Sequence, residues 1–479
     1  MKHSILRSLV AASALLALGV ALAPFEREGL AVTRPRYGGT LRIEMQAAAV
    51  SLVPADWEAV GAIEERIAPL LYDRLVRFDD AGRVQPALAL SWQHDAEYRQ
   101  WQFRLRKGVK LHDGTPLTPT VVASALGSTS TNWRVSVFGE TVVIESKSPT
   151  PNLLSELASA QASIFRRNPD GTPVGTGPFR VDSWQPQRRA RFVAFEDYWD
   201  GRPFLDAVEL EMSRPLREQW LSLELGKADL VELSLDEVRR ATQEGQRTWV
   251  SAPVELFALT FVAGRPAESD AQVREALAAS IDRAALHSVL LQRQGEATGA
   301  LLPQWLSGYG ILFSARRERA RPAAKGALQP PRRLTLVYDS ADALAQRIAE
   351  RVAVNAREAG ISLRVTGALS PAEVVDADVR LLRVRLATPE PRGALGAVAA
   401  ALFAGESFAV PASDAPESLF AAERALLESH GVIPLVHLPE AYALSPRVKR
   451  WQPERWGAWR LEDVWLESAA ASSSGEVPR

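Results

Sequence analysis

Cysteine is absent from all 479 residues. That excludes a thiol nucleophile, a Cys-ligated zinc or iron–sulfur centre, a disulfide framework and a lipidated cysteine, and it fits any redox compartment. Histidine is scarce: His3, His94, His112, His287, His430 and His437 stand far apart, with no HExxH and no close pair, so no preformed metal site is expected. Charge of one sign is not in excess either, since 56 Lys+Arg meet 57 Asp+Glu for a net charge of -1. No global field then draws the chain to nucleic acid or to an anionic bilayer, and any partner is recognised by a built site. There is no GxSxG with a matching His and Asp, no P-loop and no carboxylate pair fixed by a motif, so an enzyme is not expected, and no cofactor is called for.

What is present is ordinary globular composition, 47% apolar and 24% charged. The length is about three times that of a usual domain, which predicts two or three domains with ample core. At the N-terminus, Lys2, His3 and Arg7 precede an uncharged stretch from Ser8 to Phe25, closed by Glu26, Arg27 and Glu28. A basic segment followed by an apolar one predicts an export signal over residues 1–31. Ala21-Leu22-Ala23 has the small-x-small pattern of a cleavage site, but Pro24 follows and opposes an extended scissile segment. An uncleaved N-terminal anchor is the alternative.

From Thr40 onward, strand-like alternation and helical periodicity take turns. Strands are predicted near 40–45, 102–105, 141–145, 190–195, 207–212 and 333–338, and helices over 62–71, 121–126, 271–291, 341–359 and 416–428. This is an α/β chain. The Arg-, Ala- and Pro-dense run 316–333 reads as an exposed connector or plain solvated loop, and residues 468–479 as a flexible tail.

Several blocks look structural one by one. They are Leu71-Tyr72-Asp73-Arg74-Leu75-Val76; Trp101 to Thr118, with its Lys107-Gly108 and Asp113-Gly114-Thr115-Pro116 turns; and Gly175-Thr176-Gly177-Pro178-Phe179. Asp197-Tyr198-Trp199-Asp200-Gly201, Val273 to Leu277 with Ile281-Asp282-Arg283, and Val432 to His437 with Tyr442-Ala443-Leu444-Ser445 complete the set. In this order, the set closely resembles the extracellular solute-binding proteins of family 5, the dipeptide-, oligopeptide- and nickel-binding components of ABC importers.

The resemblance implies a two-lobe periplasmic binding protein fold of type II, cluster C, with an inserted subdomain on the first lobe. Carried onto this chain, residues 37–70, 170–262 and 436–467 form the first lobe, 71–169 the insertion and 263–435 the second lobe. Hinge positions are expected at Thr260, Phe261 and His437. The implied role is a periplasmic receptor, a monomer, that takes a peptide or other small molecule between its lobes and serves ABC permease and ATPase subunits. It meets the membrane only through its N-terminal segment or the permease.

Two departures bear on the ligand. Ser51-Leu52-Val53-Pro54 carries valine where the family has an aspartate. Near residue 390, where peptide-binding members place an acid for the ligand's ammonium, the chain reads Arg383-Val384-Arg385-Leu386-Ala387-Thr388-Pro389-Glu390. Glu390 is the candidate substitute, with a solvated loop residue as the other reading. Arg383 and Arg385 alternate on one strand face and suit a carboxylate or phosphate, or plain surface charge. Trp57, Trp133, Trp305 and Tyr309 are the aromatic candidates for a cleft wall, or core and rim. The missing acid and a short second lobe leave a second class open: a sensor or scaffold that keeps the fold without transport.

Overall fold

The computed structural model describes residues 34–56, 62–79, 81–127, 132–313, 328–369, 374, 376–386, 388–403, 411, 413 and 415–467. The expected export segment 1–31, Trp57, the tail 468–479 and most of the 316–333 connector lie outside them.

Alternation sets the first strand, β1 (Thr40–Glu44): Leu41 and Ile43 enter the core while Arg42 faces the other side. In helix α1 (Ala62–Leu71), Ile63, Ile67, Leu70 and Leu71 recur at helical spacing and are buried. A module follows with its own core around Trp101, Phe103, Val142 and Ile144. Its antiparallel sheet is ordered Ala89–His94, Gln100–Leu105, Thr141–Ser146, Trp133–Phe138.

The main sheet resumes with β2 (Phe179–Gln185), β3 (Arg189–Ala194), β4 (Ala207–Glu211), α2 (Leu216–Glu224), β5 (Leu230–Glu232), α3 (Leu235–Gln243) and the long β6 (Arg247–Phe261). Later come β7 (Arg332–Asp339), α4 (Ala343–Ala356), β8 (Ile361–Ala368), β9 (Val379–Arg385), α5 (Pro391–Leu402), α6 (Pro416–Glu428) and β10 (Val432–Leu444). Across the sheet the order is β2-β3-β4-β1-β5-β10-β6-β9-β7-β8. β1 runs parallel to β4 and β5, and β7 parallel to β8 and β9.

One core gathers around Leu41, Ile67, Phe179, Phe192, Tyr442 and Trp459, and another around Phe257, Leu277, Leu336, Ile348 and Leu435. Among the described elements, β6 and β10 run through both. β10 pairs with β5 at Tyr442–Leu444, and β6 pairs with β9 from Glu255 to Phe261, so the exchange of neighbours falls near residues 250–255 and 438–441. There the β6–β10 register shifts on both sides of Pro253, which stands opposite Pro439. Neither proline has an N–H for the ladder, which loosens the pairing at this crossover. Thr260, Phe261 and His437 sit beyond it, well inside the second half, where they pair with Arg380, Val379 and Leu256 respectively.

One local expectation needs correction. The run 271–291 is not one helix: Ala271–Ser280 ends at Ile281, and Asp282 then caps a new turn by accepting from the Ala285 N–H at 2.9 Å. Gly175 and Gly177, for their part, are required for space. A Cβ at Gly175 would lie 2.0 Å from the Leu71 carbonyl oxygen, and one at Gly177 would lie 2.5 Å from the Leu71 carbonyl carbon. The glycines let this loop dock on the end of α1, with Gly177 N–H donating to Leu71 at 3.0 Å.

Candidate functional site

In open α/β sheets the ligand crevice lies beyond the carboxyl ends of the parallel strands. Here those ends come from β1 and β5 in one half and from β7 and β9 in the other, and they face each other across the crossover. Contacts across the facing edges include three among the described residues. Gln46 donates to the Ala341 carbonyl at 3.0 Å, Arg347 meets Asp236 at 3.4 Å, and Gly82 packs so closely on Pro389 that a Cβ would sit 2.9 Å from its carbonyl oxygen.

At the floor, single charges interrupt apolar strands. Glu440 lies in β10, where every residue is buried, and its Oε1 is shared by two arginines: Arg385 Nε at 2.7 Å and Arg66 Nη2 at 3.2 Å. All three side chains are 4–5% exposed. Arg66 reaches Glu232 at 2.8 Å with its other terminal nitrogen and lies over the rings of Tyr442 and Trp459, 5.4 and 5.7 Å from their centroids. Arg385 also donates to the carbonyls of Leu386 and Trp456, both at 3.1 Å. Next to it, Arg383 bridges Glu255 and Asp342, the latter at 3.0 Å.

Burial works to raise both carboxyl groups. Glu440 is nevertheless held down at about 2 by Arg385 and Arg66. For Glu255 burial prevails and lifts it above the usual range, with Arg383 opposing and Glu440 adding to the rise. The return segment seals the cluster. The Gly457 backbone comes so close that an added Cβ would lie 2.8 Å from both Arg385 Nη2 and Glu440 Oε2, and Ala252 N–H donates to the Arg455 carbonyl at 3.1 Å. A cavity of about 90 Å³ borders this seal, lined by Tyr72, Asp73, Arg74, Trp456, Trp459 and Glu462 among others.

The expected site residues divide. Trp305 joins the crossover, donating from Nε1 to the Pro253 carbonyl at 2.7 Å with Arg455 over its ring, and Arg383 and Arg385 join it as described. Tyr309 goes elsewhere: it is 5% exposed and donates to Glu423 at 2.9 Å inside a separate core. Glu390 is neither free nor a solvated loop residue, since it caps α5 by accepting from the Arg392 and Gly393 N–H groups at 2.8 and 2.7 Å. Trp133 packs against the inserted module's core. His437 is buried and contacts the Ala300 carbonyl at 3.2 Å.

Sequence reasoning missed Arg66, Glu232, Glu255, Asp342 and Glu440. The usable signal was a lone glutamate inside each of two apolar strands, since a buried carboxylate demands a cation. Among the described residues, no group of His, Asp or Glu is placed to hold a metal ion. Nor is any helix among them long and apolar enough to cross a membrane.

The sequence profile described as bacterial extracellular solute-binding proteins, family 5 Middle, matches residues 83–391. The nickel-binding protein NikA of Staphylococcus aureus is 26% identical over 211 residues, 40% of this chain and 41% of the relative. The dipeptide-binding protein of Escherichia coli is 24% identical over 286 residues, 50% of this chain and 54% of the relative. The chain thus spans about half the length of the curated relatives it matches. Among solved structures, Staphylococcus aureus NikA in complex with Ni(L-His)2 superposes with a TM-score of 0.75 at 18% identity, covering 89% of this chain and 100% of the other. DppA from Helicobacter pylori in complex with the peptide STSA gives 0.74 at 17% identity, covering 91% and 99%. These neighbours share the two-lobe α/β fold that the sequence blocks imply, and with the profile match they establish that the chain belongs to the bacterial extracellular solute-binding proteins of family 5.

Proposed function

We propose that this chain is the solute-binding receptor of an ABC importer, taking up a peptide-like or other small solute between its halves and delivering it to a membrane permease. It works in the periplasm as a monomer, brought there by residues 1–31 as a cleaved signal or a retained anchor. No covalent step is needed. Residues 37–70, about 170–253 and about 439–467 make the first lobe, 71–169 the insertion and about 254–438 the second, so the lobe boundaries expected after 262 and before 436 move to the Pro253 and Pro439 crossover, where bending falls.

The observation that carries this reading is the sheet topology: two separately cored halves are joined through β6 and β10, and their parallel strand ends face each other. Such a body binds by population shift. A solute that touches both halves only when they are closed favours closure by its extra contacts, typically several kcal/mol. Native mass spectrometry of protein from its own envelope is expected to show a co-purifying small molecule, and small-angle scattering a more compact particle with solute than without. If a peptide and cell-extract library yields neither, the reading fails.

A second reading, a sensor or scaffold without transport, draws support from the use of Glu390 as a helix cap and from a floor whose charges answer one another. Genes for a permease and an ATPase beside this one favour transport, and their absence favours the scaffold.

A further inference from the structure

We infer that the cavity beside the return segment is a second binding site, built for a small zwitterion of the α-amino acid kind and separate from the crevice between the halves. The return segment has two sides. Toward the ionic floor it presents the Trp456 carbonyl, which accepts from Arg385 at 3.1 Å, and the Gly457 backbone. Trp456, Ala458 and Trp459 also line the cavity of about 90 Å³, whose other walls are the end of α1, the start of the insertion and Tyr198. Among the described residues, none of the second lobe and none of the facing strand ends lines it. A molecule held there touches one half alone, so it is not the solute over which the halves close.

The polar groups around this cavity are unmatched in two ways. Trp456 and Trp459 are 6% and 1% exposed, and the indole N–H of each has no acceptor among the described residues. A buried donor left unpaired is costly, and one beside a cavity is completed by whatever fills it. Arg77 adds a guanidinium that is 42% exposed and reaches Asp200 only at 3.9 Å. Such donors suit a carboxylate. Asp73 is the opposite case. It accepts from the Tyr198 hydroxyl at 3.2 Å and from Trp199 Nε1 at 2.8 Å, both neutral, and burial lifts its carboxyl to about 6. What a carboxylate in that setting lacks is a cation, and an ammonium supplies one. The other charges on the lining are already paired: Arg460 meets Glu462 at 3.0 Å, and Arg74 and Glu454 have partners of their own. Unpaired donors and an unmatched acid in one small space suit a molecule that carries both charges. The volume is that of about three waters at ~30 Å³ each, which admits glycine or alanine and excludes a peptide.

The test uses the full chain, isotopically labelled at the tryptophan indole nitrogens and titrated with glycine, acetate, methylamine and phosphate. Glycine is expected to bind saturably and to shift the Trp456 and Trp459 indole resonances, which Trp456→Phe and Trp459→Phe assign. Because it touches one half, it is expected to leave the particle dimensions in small-angle scattering unchanged. Acetate, phosphate and methylamine each carry charge of one sign and are expected to bind at least about tenfold more weakly than glycine. Trp456→Phe and Asp73→Asn are each expected to weaken glycine about tenfold.

Glycine that does not saturate, or indole resonances that stay in place, overturn the proposal and leave water as the filling. Acetate or phosphate binding as tightly as glycine overturns it in favour of a plain anion site, and methylamine binding as tightly does so in favour of a cation site. Glycine that binds the variants as it binds the parent, or that compacts the particle, sits in the crevice and overturns it as well. Should those variants fail to fold, Arg77→Met at the exposed mouth decides: a several-fold loss of glycine affinity supports the site, and no loss overturns it.

Discussion

Gly457→Ala tests the seal over the ionic floor by the smallest possible change. The residue sits at φ +89, where an L side chain is strained, and its new methyl group would meet Arg385 Nη2 and Glu440 Oε2 at 2.8 Å each. Gly108 supplies the control. Its φ is +77, but nothing lies within 4 Å of an added Cβ, so Gly108→Ala carries the backbone strain alone, about 1 kcal/mol. At Gly457 the same strain is joined by the displacement of a buried pair. Fully breaking such a pair costs about 3–5 kcal/mol, and a shift of a few tenths of an ångström forfeits only part of that. The expected destabilisation is therefore about 2–4 kcal/mol for Gly457→Ala against about 1 for Gly108→Ala. Urea unfolding followed by tryptophan fluorescence reads the difference. Equal losses in the two variants would refute the idea that this glycine exists to let the backbone lie on the cluster.

Burial holds His437 at about 3, so its folded value is depressed below the unfolded 6.5; the stability it confers is present above pH 6.5 and drains away as pH falls toward 3. Replacing it by Gln is expected to flatten the acid side of a plot of denaturant midpoint against pH, and an unchanged slope would count against the buried neutral ring. Glu423 has the opposite sign: burial pushes it up to about 7 despite the Leu301, Leu302 and Tyr309 donors, so stability is greatest below the unfolded 4.5 and declines as pH rises to 7. Glu423→Gln should gain on the parent between pH 5 and pH 8, measured by thermal shift at both. Gly175→Ala should give little soluble protein, because its methyl group would lie 2.0 Å from the Leu71 carbonyl oxygen, whereas Gly114→Ala, with no neighbour inside 4 Å, should express normally in a side-by-side yield comparison.

How far the fold can be read from the sequence follows from which forces act locally. The strand at 40–44 and the helices at 62–71 and 416–428 lie where periodicity puts them, because burial on one face writes a pattern into neighbouring residues. The break at Ile281 and Asp282 escaped, since apolar spacing continues across it and only the Asp282 cap reveals the new start. Helix α5 escaped for a related reason. Pro391 and Gly393 read as loop residues, yet proline at the first turn and a capping Glu390 are how a helix begins. The same capping removed Glu390 from the candidate anchors, a role visible only once the helix is known.

At the site, residue type was legible and partnership was not. Arg383 and Arg385 were recognisable as alternating on one strand face, but an arginine's meaning depends on which carboxylate it meets, and Glu255 and Glu440 arrive from strands 128 and 55 positions away. Long-range pairing of this kind leaves only an indirect trace, a charge in a run that is otherwise apolar. Glu440 in Val432–Leu444 is such a trace, and so is Glu255 among Val254 to Phe261. The trace also bears on the ligand. Where an ammonium would seek an unpaired acid and a carboxylate an unpaired arginine, the described floor offers pairs already joined to each other. A solute that draws on those groups must exchange partners with them, and the favourable energy of its contact is reduced by the pair it disrupts. On the receptor reading proposed above, selectivity on such a floor is expected from shape and neutral surface, with Trp305 at the crossover as one aromatic candidate. Replacing Trp305 with Leu should then weaken solute uptake in the native mass spectrum while leaving its charge dependence intact; a loss confined to charged solutes would place recognition back on the arginines.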